Sequence, residues 1–183
     1  MIVFLIGFMG SGKSYLAKQL AKLDNGTAID LDDEIEKHEG YSINEIFKIK
    51  GEGYFRELES QILRDLTNKL LSSKNDSFEK DDKIVKFTCI ACGGGTPCFN
   101  QNINWMNEHG ITIWIDPPID LLMERLEKEK EHRPIIKDLD QTELKAFVDK
   151  KLLERAFYYG QAKIKITDPF LPMENILKLI LDA

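Results

Sequence analysis

Cysteine is scarce in this chain of 183 residues: three occur, Cys89, Cys92 and Cys98. An odd number so close together argues against a disulfide framework as the source of stability. Cys89-x-x-Cys92 has the spacing of a metal or redox half-site. No second ligand pair follows it, however, and Cys89 falls inside an apolar strand pattern, so the cysteines read as small core residues. Histidine is equally rare, and His38, His109 and His132 stand apart without ligand spacing, so no structural metal is expected. Positive charge is short as well: 25 Lys and Arg against 31 Asp and Glu leave a net charge of −6. That balance offers no basic footprint for a polyanion, and nucleic acid is not an expected partner. No apolar run approaches the ~20 residues that cross a bilayer. No charged-then-apolar leader precedes the first strand, so no membrane partner is expected and the location expected is cytoplasmic. Repeats and linker-like stretches are missing too. With 43% hydrophobic residues the length suits one buried core, and a single domain over residues 1–183 is expected.

What the chain does contain is concentrated first in Gly7-Phe8-Met9-Gly10-Ser11-Gly12-Lys13-Ser14. This stretch follows the apolar run Ile2 to Ile6 and precedes a helical pattern over Tyr15 to Leu23, which is the context that G-x-x-x-x-G-K-[ST] requires. Glycines let the backbone turn tightly enough for successive N–H groups to face phosphate oxygens. The helix start adds positive potential, Lys13 reaches the outer phosphates, and the Ser14 hydroxyl suits Mg²⁺. A nucleoside triphosphate is the implied ligand.

Farther along, Asn25-Gly26 turns the chain into a short strand, Thr27 to Ile29, that ends in Asp30-Leu31-Asp32-Asp33. Carboxylates at a strand's C-terminal end sit on the edge where open α/β sheets bind ligands, so these are candidate site residues. A short helix is predicted over Glu34 to Glu39, closed by Gly40. Ser42-Ile43-Asn44-Glu45 is a capping box for the next helix, Gly51-Glu52-Gly53 interrupts it, and a long amphipathic helix runs on through Leu70. Residues 31–71 thus form a helical insertion beside the phosphate loop. Ser72 to Lys83 reads as a solvated loop and Ile84 to Ala91 as a strand. Gly93-Gly94-Gly95 follows, a costly triplet unless backbone must closely approach a ligand. The remaining pattern is a helix over Phe99 to His109, a strand over Ile111 to Ile115, helices over Ile119 to Glu129 and Thr142 to Tyr159, a strand over Ala162 to Ile166 and a closing helix over Met173 to Leu181. Dense charge with few apolar anchors and an Arg-Pro break marks 126–140 as a mobile lid. The fold class is α/β: a five-stranded, mostly parallel sheet between helical layers, of the three-layer phosphate-loop NTPase type.

Such a scaffold serves kinases, nucleoside triphosphatases and switches. No apolar strand ends in the Asp-Glu pair of large ATPases, and no base-reading motif of GTPases is recognisable. The arginines point instead to a small anionic substrate. Only Arg56, Arg64, Arg125, Arg133 and Arg155 occur in a lysine-rich chain. Arg133 beside a proline and Arg56 after a glycine break read as planar forks for carboxylate or phosphate, whereas Arg64 reads as a helix-face residue.

Taken in order, Gly10-Ser11-Gly12-Lys13-Ser14, Asp30-x-Asp32, Ile43-x-Glu45-Ile46-Phe47, Gly51-Glu52-x-x-Phe55-Arg56-x-x-Glu59, Gly93-Gly94-Gly95, Arg133-Pro134 and Glu154-Arg155-x-x-x-Tyr159 resemble the motif set of shikimate kinases over nearly the whole chain. The resemblance implies ATP-dependent phosphorylation of the shikimate 3-hydroxyl, with Mg²⁺ as cofactor, ATP and shikimate as the small-molecule partners, and a monomer. It puts Arg56 and Arg155 on the shikimate carboxylate. Asp32 and the backbone of Gly94, within the Gly93-Gly94-Gly95 run, would hold the hydroxyls, and Asp32 would accept the 3-hydroxyl proton. Gly10, Ser11, Gly12, Lys13, Ser14 and Tyr15 would line the nucleotide, Lys13 and Arg133 would neutralise the transferring phosphoryl, and Ser14 with Asp30 would serve the metal. Arg125 and Pro172 would flank adenine. The sequence departs from the pattern at Tyr15, where Thr or Ser is usual, in the longer 72–83 loop, in the charged stretch before Arg133, and at Ile135-Ile136, where Leu is common. Two rivals are another small-molecule kinase, such as a gluconate kinase, and a nucleotide-binding module without turnover. Intact Asp32, Arg56, Arg133 and Arg155 oppose the second.

Overall fold

Five apolar runs become the five strands of one sheet: β1 (Ile2–Ile6), β2 (Thr27–Asp30), β3 (Thr88–Ala91), β4 (Ile111–Ile115) and β5 (Ile164–Ile166). They lie in the order β2-β3-β1-β4-β5, and every pairing is parallel. The computed structural model describes residues 1–23, 25–72 and 87–183. Because successive side chains of a strand face opposite ways, β1 feeds two cores at once. Val3 and Leu5 pack with Leu16 and Leu20 of α1 (Lys13–Leu23) and with Ile176 and Ile180 of α7 (Met173–Leu181). Ile2, Phe4 and Ile6 face the other way, onto α2 (Leu31–Glu39), α3 (Ile43–Ser72) and α4 (Asn102–His109). Helices on both faces explain why all five residues of β1 are buried. The three layers match the fold expected from the alternation of elements.

Local chemistry sets the boundaries, and several differ from the sequence expectation. Of the run Asp30 to Asp33, only Asp30 belongs to the strand, closing β2. Asp30 is also the N-cap of α2, its carboxylate accepting the Asp32 N–H at 3.1 Å, and Asp32, Asp33 and Glu34 occupy the first helical turn. A cap and an acidic first turn satisfy exposed amides and complement the helix dipole, which outweighs the short strand's claim on these residues. The capping box at Ser42 and Glu45 forms as expected, with reciprocal bonds of 2.9 and 3.3 Å. Gly51, at φ 82° and ψ 168°, breaks α3 where the glycines predicted an interruption.

The strand expected from Ile84 begins at Thr88, with residues 84–86 outside the described residues, as is most of the 72–83 loop, of which Ser72 closes α3. The helix expected from Phe99 begins at Asn102, because Thr96–Cys98 form a 3₁₀ turn and Asn100 and Gln101 take left-handed φ values of 48° and 57°. The last strand starts at Ile164 rather than Ala162.

The expected lid is the end of α5 (Ile119–Glu129), a 3₁₀ turn over Lys130–His132 and a further turn before α6 (Gln141–Tyr159). It has firmer apolar anchors than its charge suggests. Leu126 and Ile136 are fully buried with Phe8, Leu122, Leu144 and Val148 in a third core cluster.

Candidate active site

Strand β1 lies at the centre of the sheet with chain connections diverging on either side, and the loop leaving its C-terminal end is the natural ligand crevice of an open α/β sheet. Gly7 opens that loop at φ 141°, and a Cβ there would lie 2.5 Å from the Ile115 carbonyl oxygen. Only glycine fits so close to the neighbouring strand's backbone. The loop borders a cavity of about 580 Å³ lined by Gly10, Gly12, Lys13, Ser14 and Tyr15 on one side. Asp30, Asp32, Cys92, Gly93, Gly94, Arg125, Glu129 and Arg133 complete most of the wall.

Lys13 is half-buried with its ammonium enclosed, and it donates to the carbonyls of Gly7 at 3.0 Å and Phe8 at 2.9 Å. Burial pulls its pKa down to about 8, against the opposing pull of Asp32. Ser11 is buried, and its hydroxyl has no hydrogen-bond partner among the described residues. Arg125 reaches from α5 to the carbonyls of Gly10 and Ser11, both at 3.2 Å, and so braces the phosphate loop from outside. Tyr15 borders the cavity and is largely exposed.

The Ser14 hydroxyl donates to Asp30 at 2.6 Å, placing a hydroxyl and a carboxylate oxygen together at the cavity wall. Two hard oxygen donors suit Mg²⁺, which keeps several waters and completes its shell with phosphate oxygens. Among the described residues no group of three or more His, Cys, Asp or Glu could enclose a metal by itself.

Opposite the loop, the glycine triplet forms a floor with a functional side chain over each member. A Cβ on Gly93 would lie 3.1 Å from an Asp32 carboxylate oxygen, on Gly94 3.0 Å from an Arg155 guanidinium nitrogen, and on Gly95 2.6 Å from an Arg56 guanidinium nitrogen. Asp32 comes from α2, Arg56 from α3 and Arg155 from α6, so three helices deliver one acid and two guanidiniums to three consecutive residues. Burial, with the nearby carboxylates of Asp30 and Glu59, pushes the Asp32 carboxyl up to about 6 while Lys13 pulls the other way.

Arg56 is held in place before any ligand meets it. Its Nη1 donates to Glu59 at 2.9 Å, and Nε and Nη2 donate to Glu52 at 3.3 and 3.2 Å. The guanidinium also lies over the rings of Phe99 and Phe55, 4.4 and 4.9 Å from their centroids. Glu59 is completely buried and also accepts the Thr96 hydroxyl at 2.6 Å. Arg155 lies over the ring of Phe8. Tyr159, one turn on from Arg155, is fully buried and donates its hydroxyl to the Gly94 carbonyl at 2.6 Å. On the lid side, Arg133 pairs with Glu129, which also borders the cavity.

Thus Gly10, Gly12, Lys13, Ser14, Tyr15, Asp30, Asp32, Gly93, Gly94, Arg125 and Arg133 line one cavity, while Ser11 is buried within the loop and Arg155 and Arg56 stand against Gly94 and Gly95, outside the lining itself. Pro172 stands apart: it is the exposed N-cap of α7 and is not part of the cavity wall. The cysteines remain free thiols, Cys89 and Cys92 in the two opposing cores. Glu59, Thr96, Tyr159 and Glu129 received no role from the sequence. Glu59 could have been found from its place three residues after Arg56 on one helix face, and Tyr159 from its place four after Arg155. Thr96 and Glu129 carry no such signal.

Comparisons with known proteins agree with one another. The family model described as shikimate kinase matches residues 9–73 and 79–183. A shikimate kinase of Flavobacterium johnsoniae is 36% identical over 181 residues, covering 98% of this chain and 96% of the relative, and one of Aquifex aeolicus is 36% identical over 182 residues, covering 99% and 95%. Among solved structures, a shikimate kinase of Bacteroides thetaiotaomicron superposes with a TM-score of 0.80 at 31% identity, covering 100% of this chain and 95% of that one. A shikimate kinase of Acinetobacter baumannii in complex with shikimate superposes with a TM-score of 0.79 at 27% identity, covering 99% and 93%.

Proposed function

The chain belongs to the shikimate kinase family, and from that premise we propose that it transfers the γ-phosphoryl group of ATP to the 3-hydroxyl of shikimate through the residues gathered around the glycine floor. The single observation that supports this most is the placement of Arg56, Arg155 and Asp32 over Gly95, Gly94 and Gly93. A ring carboxylate needs planar two-pronged donors and a ring hydroxyl needs an acceptor, and both kinds are here within one short stretch of backbone.

Arg56 and Arg155 grip the carboxylate from two helices. Asp32 accepts a hydrogen bond from the 3-hydroxyl, orients its oxygen toward the γ-phosphorus and takes its proton as the new P–O bond forms. Amides of residues 10–15 cradle the phosphates, and Lys13 exchanges the Gly7 and Phe8 carbonyls for phosphate oxygens. Arg133 leaves Glu129 for the transferring group, so that Lys13 and Arg133 offset the charge that accumulates there. Ser14 and, through coordinated water, Asp30 would hold Mg²⁺, which would supply charge neutralisation for the phosphates. Residues 126–140 act as a lid that excludes water, the competing phosphoryl acceptor. Holding two reactants in line accounts for ~7–11 kcal/mol of barrier lowering in well-oriented systems, so positioning is the main contribution of this scaffold.

Every group named comes from one chain, so one domain over residues 1–183 suffices as a monomer. Among the described residues no helix is long and apolar enough to cross a membrane, and we place the enzyme in the cytoplasm, where ATP is supplied. ADP release measured with shikimate present and absent, and with gluconate as control, tests the proposal. Shikimate-dependent turnover supports it, whereas turnover on gluconate without turnover on shikimate overturns it.

A further inference from the structure

The carboxylates that hold the Arg56 fork, Glu52 and Glu59, belong to α3 like the arginine itself, and so do the nearby rings of Phe47 and Phe55. Among the described residues the one ring that meets the guanidinium from outside that helix is Phe99, whose centroid lies 4.4 Å from Cζ, nearer than either of the others. The next residue, Asn100, reaches the same arginine at its main chain. Its Nδ2 donates to the Arg56 carbonyl at 3.1 Å and to the Ser60 hydroxyl at 2.9 Å, and that hydroxyl in turn donates to the Arg56 carbonyl at 2.8 Å. Two consecutive residues thus hold both ends of one arginine.

The turn that carries them is fixed by its surroundings. Asn100 and Gln101 have φ values of 48° and 57°, a region that residues other than glycine seldom enter, and such backbone persists only where tertiary contacts impose it. Those contacts come from α3. Asn102 is completely buried; its Nδ2 donates to the Thr96 carbonyl and the Ser60 hydroxyl, both at 3.0 Å, and its Oδ1 accepts Arg64, also at 3.0 Å. Arg64 donates as well to the Asn100 carbonyl at 2.8 Å. Arg64, which the sequence offers only as a helix-face residue, therefore clamps the turn to α3 about two helical turns beyond Arg56.

A carboxylate that takes two parallel donors needs the plane of the fork set as well as its position. An incoming carboxylate competes with the exposed Glu52 for Nε and Nη2, and when Glu52 yields, the plane rests on Glu59 and on the aromatic faces beside it. We propose that Phe99 and Asn100 are positioning residues for carboxylate recognition: the Phe99 ring sets the plane of the Arg56 guanidinium, and the Asn100 amide, through the Arg56 carbonyl, sets where that arginine stands relative to the 96–102 segment. This rests on the shikimate reading above, in which Arg56 receives the ring carboxylate.

Two pairs of variants test it. Phe99 keeps 37% of its surface exposed, so Phe99→Leu removes the aromatic face without opening a buried cavity, and Phe99→Tyr retains the face. Phe99→Leu should raise KM for shikimate about three- to tenfold with KM for ATP within about twofold, and Phe99→Tyr should recover most of that loss. Asn100→Gly keeps a backbone that glycine adopts freely and removes the amide, whereas Asn100→Asp keeps the shape but cannot donate; both should raise KM for shikimate about threefold or more. In an Arg56→Lys background, where no planar fork remains to be aligned, Phe99→Leu should add almost nothing. An unchanged KM for shikimate, an equal rise for both substrates, or full additivity with Arg56→Lys would each overturn the inference. If the wild type fails to phosphorylate shikimate, the proposed function falls and this reading with it, whereas an active wild type with unaffected variants sinks the role of the turn alone.

Discussion

Arg56 and Glu59 lie one helical turn apart on α3, joined at 2.9 Å, with the carboxylate wholly buried and the guanidinium facing the Gly95 backbone. Since Glu59 also accepts the Thr96 hydroxyl, it ties the helix bearing Arg56 to the turn that follows the glycine floor. Removing it leaves the mostly buried guanidinium with only the exposed Glu52 as its carboxylate partner and takes the acceptor from a buried hydroxyl. Glu59→Ala is expected to cost ~3–5 kcal/mol and lower Tm by about 10 °C. Calorimetry checks this, and a Tm within a degree or two of wild type would show that Glu59 is not the brace.

Arg56→Lys keeps the charge and loses the fork. KM for shikimate should rise about 10- to 100-fold with KM for ATP nearly unchanged, because an ammonium cannot meet a carboxylate with two parallel donors. Steady-state kinetics with each substrate varied separately decides it. Equal effects on both would remove Arg56 from the carboxylate.

Two glycine substitutions should fail in different ways. Gly95 has φ −94°, which alanine adopts freely, but the new methyl would stand 2.6 Å from the Arg56 guanidinium. The flexible arginine yields, so Gly95→Ala should fold with little change in Tm and bind shikimate at least about tenfold more weakly. Gly7→Ala combines φ 141° with backbone 2.5 Å away that cannot yield, and should lose stability by ~2 kcal/mol or more along with nucleotide binding. Thermal melts and binding titrations on the pair separate the cases, and a stable Gly7→Ala protein would contradict the geometry.

Acid–base behaviour should be bell-shaped. Asp32 must be ionised to accept a proton, so kcat/KM should rise with pH through about 6, and Lys13 must be charged to hold phosphate, so it should fall above about 8. Asp32→Asn should abolish most turnover and leave nucleotide affinity close to wild type. Stability runs the other way from activity. With its folded pKa raised from 3.8, Asp32 contributes stability that is complete below 3.8 and lost as pH rises through about 6. Asp32→Asn should therefore melt higher than wild type near pH 7.5, with no such gain near pH 4. A flat pH–rate profile between 5 and 7 would exclude Asp32 as the proton acceptor.

How far the sequence reveals this molecule depends on whether local chemistry or tertiary contact sets each feature. The phosphate loop, the Gly51 break and the Ser42 capping box are legible because the residue types are dictated within a few positions of themselves. The start of α2 is hidden because Asp30 both ends β2 and caps the helix, leaving no turn residues between them, and it is the packing of Leu31 and Ile35 that makes the next residues helical. Asn100 and Gln101 hide their left-handed backbone, which is held by contacts such as that of the Asn100 amide with the Arg56 carbonyl across 44 positions. Lid anchoring escaped because a single buried Ile136 among charges leaves no periodicity to read. Glu59 and Tyr159 were visible as letters in a pattern, but their partners, Thr96 and Gly94, lie 37 and 65 positions away.

The floor of three glycines spans adjacent positions, yet the groups that stand over it arrive on α2, α3 and α6. The proposed shikimate pocket thus has no local precursor: like the phosphate loop, which leans on Ile115 and Arg125 more than a hundred positions away, it exists only once distant parts of the chain have docked, so binding competence is a property of the whole fold rather than of any one segment.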